Sequence, residues 1–269
     1  MVQPKILALD FDGVLCNGLK EYFLTASFAY SSIWSEDENL EQHRNSFYLV
    51  RPVVETGWEM PLLLRALILG KSEQDIRSHW GKIVEQLLEK EQIKSSQIMH
   101  QIDLSRDQQI ESNLEQWLSL HQFYPGIIDK LKDSLAQDIS IYIITTKEGR
   151  FVQKLLQAQG INLPENNLKG KEVKQSKAQT LIDIISSTGI KAHEIWFVED
   201  RLEALQSAQR EDQLKGIKLY LAEWGYNLID SREKAKKDKQ ISLLSLNEFL
   251  NSFAKWPVNK HVRHNKNSG

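Results

Sequence analysis

Two textures of hydrophobic patterning alternate along this chain of 269 residues. Short, mostly apolar runs stand at residues 6–9, 139–144, 195–198 and 217–221, interrupted by Ser140 and Lys218, and they are rich in Ile and Leu. Runs without polar alternation suit parallel strands covered on both faces. Segments of helical length separate the later runs. Pro125-Gly126 opens one that carries Ile127, Ile128, Leu131 and Leu135, and others span residues 150–158, 178–185 and 202–208. Strands alternating with helices predict an α/β fold, a Rossmann-like three-layer core around a parallel sheet.

The interval between the first and second apolar runs is about a hundred residues, far beyond an ordinary strand-to-helix connection. Its apolar residues recur at helical spacing, as in Leu62, Leu63, Ala66 and Leu67, in Ile76, Trp80, Ile83, Val84 and Leu87, and in Ile110, Leu114, Trp117 and Leu118. An inserted all-helical domain is expected over residues 19–121, with the core formed by 1–18 and 122–254. One further helix is expected near 246–253. Periodicity then fades, and 255–269 reads as a basic, disordered tail.

Composition narrows the functional classes. Hydrophobic residues make up 41%, ample for a large core, and the formal net charge is only -2. No strong positive field is available, so no nucleic-acid partner is expected. The charge is uneven, however: residues 231–269 hold nine Lys or Arg against three acids, a net +6 that leaves about -8 for the remainder. Without interleaved aromatics that tail reads as a solvated terminus. Cys16 is the single cysteine, which excludes an intrachain disulfide, and no apolar stretch reaches membrane-spanning length. No membrane partner is expected, and a reducing cytoplasm is the expected location.

Candidate chemistry concentrates where the first apolar run ends. Residues 6–9 lead into Asp10, Phe11, Asp12, Gly13, Val14 and Leu15, so a buried strand delivers two carboxylates and a glycine at its C-terminal end. Ligands of open α/β sheets bind at that end. A carboxylate attacks phosphorus when a cation neutralises the approach, and a second acid two residues on can protonate the departing oxygen. Gly13 allows a sharp turn beside a substrate.

The Asp-x-Asp-Gly-Val-Leu sequence after an apolar strand resembles the first motif of the haloacid dehalogenase superfamily. Later segments resemble the rest of that pattern in the same order. The resemblance implies a phosphate-binding hydroxyl after the second strand, where Thr145 stands first and Thr146 next, ahead of Lys147. It implies a lysine at the start of a later helix. Lys171, Lys174 and Lys177 compete for that place, and Lys177 is favoured because 177–181 resembles the family's Lys-x-x-x-Leu helix start, although the proline often beside that lysine is missing. It also implies an acidic group after the next strand, here Glu199-Asp200, joining Asp10 and the Asp12 carbonyl around Mg2+, with Asp200 the preferred direct ligand. The insert resembles a C1 helical cap that selects the substrate, and Arg51 in its polar-aromatic part is a candidate for a substrate anion.

The implied activity is Mg2+-dependent hydrolysis of a small phosphorylated metabolite through an aspartyl-phosphate on Asp10. Tyr124-Pro125-Gly126 and Thr145-x-Lys147 resemble the phosphoglycolate phosphatase-like branch. Asp12 argues against dehalogenation, which has no leaving oxygen to protonate. A phosphomutase, or a silent binding protein on the same fold, remains as an alternative. Each residue also has a plainer role open to it: a strand-end hydroxyl for Thr145, a helix N-cap for the acidic pair, a solvated side chain for the lysines, a salt bridge with Glu55 for Arg51. Gly70-Lys71-Ser72 lacks the earlier glycine of a phosphate-binding loop, and neither a zinc-binding His pattern nor a Gly-x-Ser-x-Gly elbow occurs.

Overall fold

The computed structural model of the chain describes residues 3–34 and 39–257. They divide into two compact units, Asn17–Gln122 on one hand and Met1–Cys16 with Phe123–Gly269 on the other. The second of these holds a parallel sheet flanked by helices. Its strands are β1 (Ile6–Leu9), β4 (Ser140–Ile144), β5 (Leu168–Lys169), β6 (Ile195–Glu199), β7 (Lys218–Ala222) and β8 (Ile241–Leu244), while two short strands, β2 (Cys16–Asn17) and β3 (Gln122–Phe123), mark where the chain leaves and rejoins this unit. The sheet order is β5-β4-β1-β6-β7-β8. From β1 the chain builds outward on one side through β4 and β5, then crosses to the other side for β6, β7 and β8. The central strand β1 therefore lies at a topological switch point, where a crevice opens beyond the strand ends.

Side-chain alternation along the strands builds a core on each face. Ile6, Ala8, Ile195, Phe197, Leu219 and Leu221 point to one face, against Ala178, Leu181, Leu202 and Leu205, which lie on helices α9 (Lys177–Thr188) and α10 (Leu202–Gln209), numbered in chain order among the described residues. On the opposite face Trp196 and Tyr220 meet the last described turn: the Trp256 ring lies 5.3 Å from Trp196, 5.0 Å from Tyr220, 5.1 Å from Phe249 and 5.2 Å from Phe253. Packing thus continues beyond residue 254. A short 3-10 turn at Phe253–Lys255 lays Trp256 onto the sheet, where it is 2% exposed. The basic stretch 258–269 lies outside the described residues.

The unit Asn17–Gln122 is helical, with α1 (Leu19–Trp34), α2 (Arg44–Val50), α3 (Glu59–Ile68), α4 (Glu73–Lys90), α5 (Ser95–Ser112) and α6 (Leu114–Ser119). Buried charges there are matched, as burial demands. Arg65 donates to Tyr30 Oη at 3.0 Å and to Glu91 at 3.1 Å, and the fully buried Glu21 accepts from Arg106 at 2.8 Å and from Thr25. Among the described residues no helix is long and apolar enough to cross a membrane.

The strands β5 and β8 and the helix α11 (Ile229–Lys237) are elements that hydrophobic runs did not announce. β5 has two residues, and β8 reads Ile-Ser-Leu-Leu after a heavily charged helix, too little apolar length to stand out. Trp256→Ala removes the ring that closes the aromatic face, and should lower unfolding free energy by about 3 kcal/mol in a urea titration. A loss below about 1 kcal/mol would show that this last turn is not part of the core.

Candidate functional site

The C-terminal ends of β1, β4 and β6 are level, since Leu9 pairs with Ile143 and with Val198. Glu199, the last residue of β6, and Asp10, Thr145 and Asp200, which follow their strands, consequently emerge on one edge of the sheet. Beyond β1 the chain folds into a tight turn, with Leu15 and Cys16 amides donating to Phe11 O and the Gly13 amide to Cys16 O. Gly13 has φ +85°, and any Cβ there would fall inside the Asp200 carboxylate. Both its backbone and its surroundings admit only glycine.

Asp10, Glu199 and Asp200 are all buried, and together they form a group in which one carboxylate oxygen from each lies within 4.8 Å of the other two. Lys177 reaches this group from the first turn of α9, which Ser176 caps by accepting from the Gln179 amide. Its Nζ stands 2.8 Å from Asp10 Oδ1 and 2.5 Å from Glu199 Oε2. The other oxygen of Glu199 accepts from the Asp200 and Arg201 amides at 3.1 and 2.9 Å, so this carboxylate is committed on both sides.

Electrostatics follows from crowding. Burial, then repulsion from Glu199, raises the Asp10 pKa from 3.8 to about 7, against the opposing pull of Lys177. Burial, then Glu199 and Asp10, also raises Asp200 well above the ordinary carboxylate range, although the Tyr226 amide favours its charged form. Burial alone would lower the Lys177 pKa, but Asp10 and Glu199 overcome it and hold the ammonium above the usual lysine value. Were all three carboxylates ionised, the Lys177 ammonium would leave two negative charges unbalanced in a dry place.

The remaining expected residues are placed as follows. Thr145 is buried and accepts the Lys147 amide at 3.2 Å, whereas Thr146 is exposed. Asp12 is partly buried, with Lys147 Nζ 3.4 Å from its Oδ1. Lys171 and Lys174 precede α9 in a short turn, where the Lys171 amide donates to Lys147 O and Lys174 has φ 54°. Arg51 lies in the helical unit, its guanidinium 4.9 Å from the Tyr22 ring centre and bonded to Val54 O at 3.2 Å.

Sequence reasoning passed over the loop after β7. Trp224, Gly225, Tyr226 and Asn227 all touch Asp200 or the β1 turn. A Trp-Gly-Tyr group that begins three residues past the apolar run 217–221 is the signal that marks them, since it lies at the same sheet edge as the acids.

A family model described as haloacid dehalogenase-like hydrolase matches residues 67–215, more than half of the chain. No curated protein matches it. Solved structures share its fold. A predicted phosphoglycolate phosphatase from Haemophilus somnus 129pt superposes with a TM-score of 0.57 at 18% identity, over 84% of this chain and 88% of that one. A predicted phosphatase from Clostridium acetobutylicum gives 0.58 at 13%, over 93% and 97%. A haloacid dehalogenase-like family hydrolase from Streptococcus pneumoniae gives 0.51 at 15%, over 90% and 94%. At such identities the likeness is one of fold.

The raised Asp10 pKa has a stability consequence. Between 3.8 and about 7 the folded chain holds a proton that the unfolded chain has lost. Asp10 therefore contributes stability that is complete below its unfolded pKa and is lost as pH rises through about 7. In chelator, Asp10→Asn should melt above the parent at about pH 8 and lose that advantage toward about pH 5. Parallel melting curves across that range, followed by calorimetry, would contradict the charge crowding.

Proposed function

The chain belongs to the haloacid dehalogenase-like hydrolases, and from that premise we propose that it is a Mg2+-dependent phosphatase acting on a small phosphate monoester through an aspartyl-phosphate on Asp10. The observation that carries this reading is the buried group of Asp10, Glu199 and Asp200 with Lys177 among them, at the open end of a parallel sheet. The phosphatase descriptions of the Haemophilus somnus and Clostridium acetobutylicum proteins agree with it.

The donor set fits a hard divalent cation: the free ligands are all oxygen, and their excess negative charge is what a cation relieves. Asp10, Asp200 and the Asp12 carbonyl would hold Mg2+, with Glu199 of the same group engaged in fixing Lys177. When bound, the ion supplies Lewis acidity that draws charge from the phosphoryl oxygens.

The protein's own groups do the rest. Lys177 offsets the charge of the entering phosphate, opposes the rise in the Asp10 pKa and orients the Asp10 carboxylate. One Asp10 oxygen attacks phosphorus in line as the bond from phosphorus to the alcohol oxygen breaks. Asp12 acts as the general acid, passing a proton to the departing alkoxide oxygen. The Asp12 carboxylate then takes a proton from water, whose oxygen attacks phosphorus and releases inorganic phosphate and the Asp10 carboxylate. Thr145 binds the transferred group, and the turn at Gly13 lets the backbone come close to it. In this reading the helical unit serves as the cap, with Arg51 and Thr146 as candidate substrate contacts.

Turnover of an aryl phosphate should require Mg2+ and fall by about a thousandfold or more in Asp10→Asn. Lys177→Met should lose about a hundredfold or more through kcat. Brief exposure of Asp12→Asn to substrate, followed by acid quench and mass spectrometry, should locate one phosphoryl group on the peptide that contains Asp10. A phosphoryl group found elsewhere, or turnover that survives Asp10→Asn, would overturn the covalent route.

A further inference from the structure

The loop that follows β7 closes on Asp200 from three directions. The Tyr226 amide donates to Asp200 Oδ2 at 2.7 Å, which fixes the rotation of the carboxylate and hence the direction of its other oxygen. Asn227 Nδ2 donates both to Asp200 O at 3.1 Å and to Ala222 O at 2.8 Å, tying the end of β6 to the end of β7. Gly225 lies so close that an added Cβ would collide with Asp200 Cβ and stand 2.6 Å from Gly13 O. The same loop holds the other side of the site: Trp224 Nε1 donates to Val14 O at 3.0 Å, in the turn that carries Asp10 and Asp12.

We infer that residues 224–227 are a positioning brace that sets the spacing between Asp200 and the β1 turn, and so the affinity of the carboxylate group for a divalent cation. The physical reason is charge. Two buried carboxylates that repel each other separate unless their backbones are tied, and every unit of separation costs the preformed site. Asp10 and Asp200 sit at the ends of adjacent strands, β1 and β6, whose pairing runs to a last bond from the Asp10 amide to Val198 O at 3.0 Å and stops short of Asp200. Beyond that point the brace joins the two turns: Trp224 anchors to one and Asn227 to the other, with the Gly225 and Tyr226 backbones between them. Asn227 is 7% exposed, so its two donated bonds are made out of water and lack a solvent substitute.

This inference rests on the proposed Mg2+ site, and the experiment separates the two. Mn2+ binding to the full chain is followed by electron paramagnetic resonance, well below the thermal midpoint of each protein, for the parent, Asn227→Leu and Trp224→Phe. Asn227→Leu keeps the side-chain volume and removes both donors; its Mn2+ dissociation constant should rise about 10- to 100-fold. Trp224→Phe removes one hydrogen bond and should raise it about fivefold. For both variants, kcat at saturating Mg2+ should return to within about threefold of the parent, a split that general destabilisation would not produce. A parent that binds no Mn2+ overturns the metal site and the brace with it. A parent that binds, with both variants binding equally well, overturns the brace alone. Should Asn227→Leu fail to fold, Trp224→Phe decides by the same criterion.

Discussion

Three carboxylates held within a few ångströms, out of water, repel one another, and the rest of the site exists to contain that repulsion. Lys177 supplies a positive charge against Asp10 and Glu199, and Glu199 spends both of its oxygens on keeping Lys177 and two backbone amides in place. The result favours protonation of Asp10 near neutral pH. A fold selected only for stability would not assemble such a group, because burying like charges costs more than any of these bonds returns. The cost is intelligible if the group meets a cation and a phosphate, whose charges complete it.

The sheet makes the assembly possible at low entropic expense. Strands β1, β4 and β6 end level with one another, and a rigid hydrogen-bonded frame carries their terminal residues, so the acids need little further ordering to meet. Glycine then sets the spacing. At Gly13 and Gly225 the space a side chain would need is already filled by Asp200, and the two loops approach one another across that carboxylate. The aromatic layer of Trp196, Tyr220, Phe249, Phe253 and Trp256 supports the same strands from one face, which ties the end of the described chain to the stability of the frame.

The family match and the site overlap only in part. The matched residues 67–215 include Thr145, Lys177, Glu199 and Asp200 but neither Asp10 nor Asp12. The sheet supplies the connection, because pairing of β1 between β4 and β6 brings the first ten residues beside groups that follow more than a hundred positions later. Similarity of fold to structures below 20% identity is consistent with this: strand order and level strand ends survive changes in most side chains.

Local pattern was enough for a good part of this protein. Four of the six sheet strands, the helical nature of the insert, and the placing of Asp10, Thr145 and Glu199-Asp200 directly after apolar runs are properties of neighbouring residues, and hydrophobic periodicity reports those directly. The sequence favoured Lys177 over Lys171 and Lys174, and only the tertiary structure shows that a helix starting at Lys177 carries its ammonium against both Asp10 and Glu199. Tertiary structure alone brought in Trp224, Gly225, Tyr226 and Asn227, whose contacts with Val14 and Asp200 span from about 25 to more than 200 residues of sequence. Charge pairing and close approach act through space, and a periodicity confined to one stretch of chain carries no record of them.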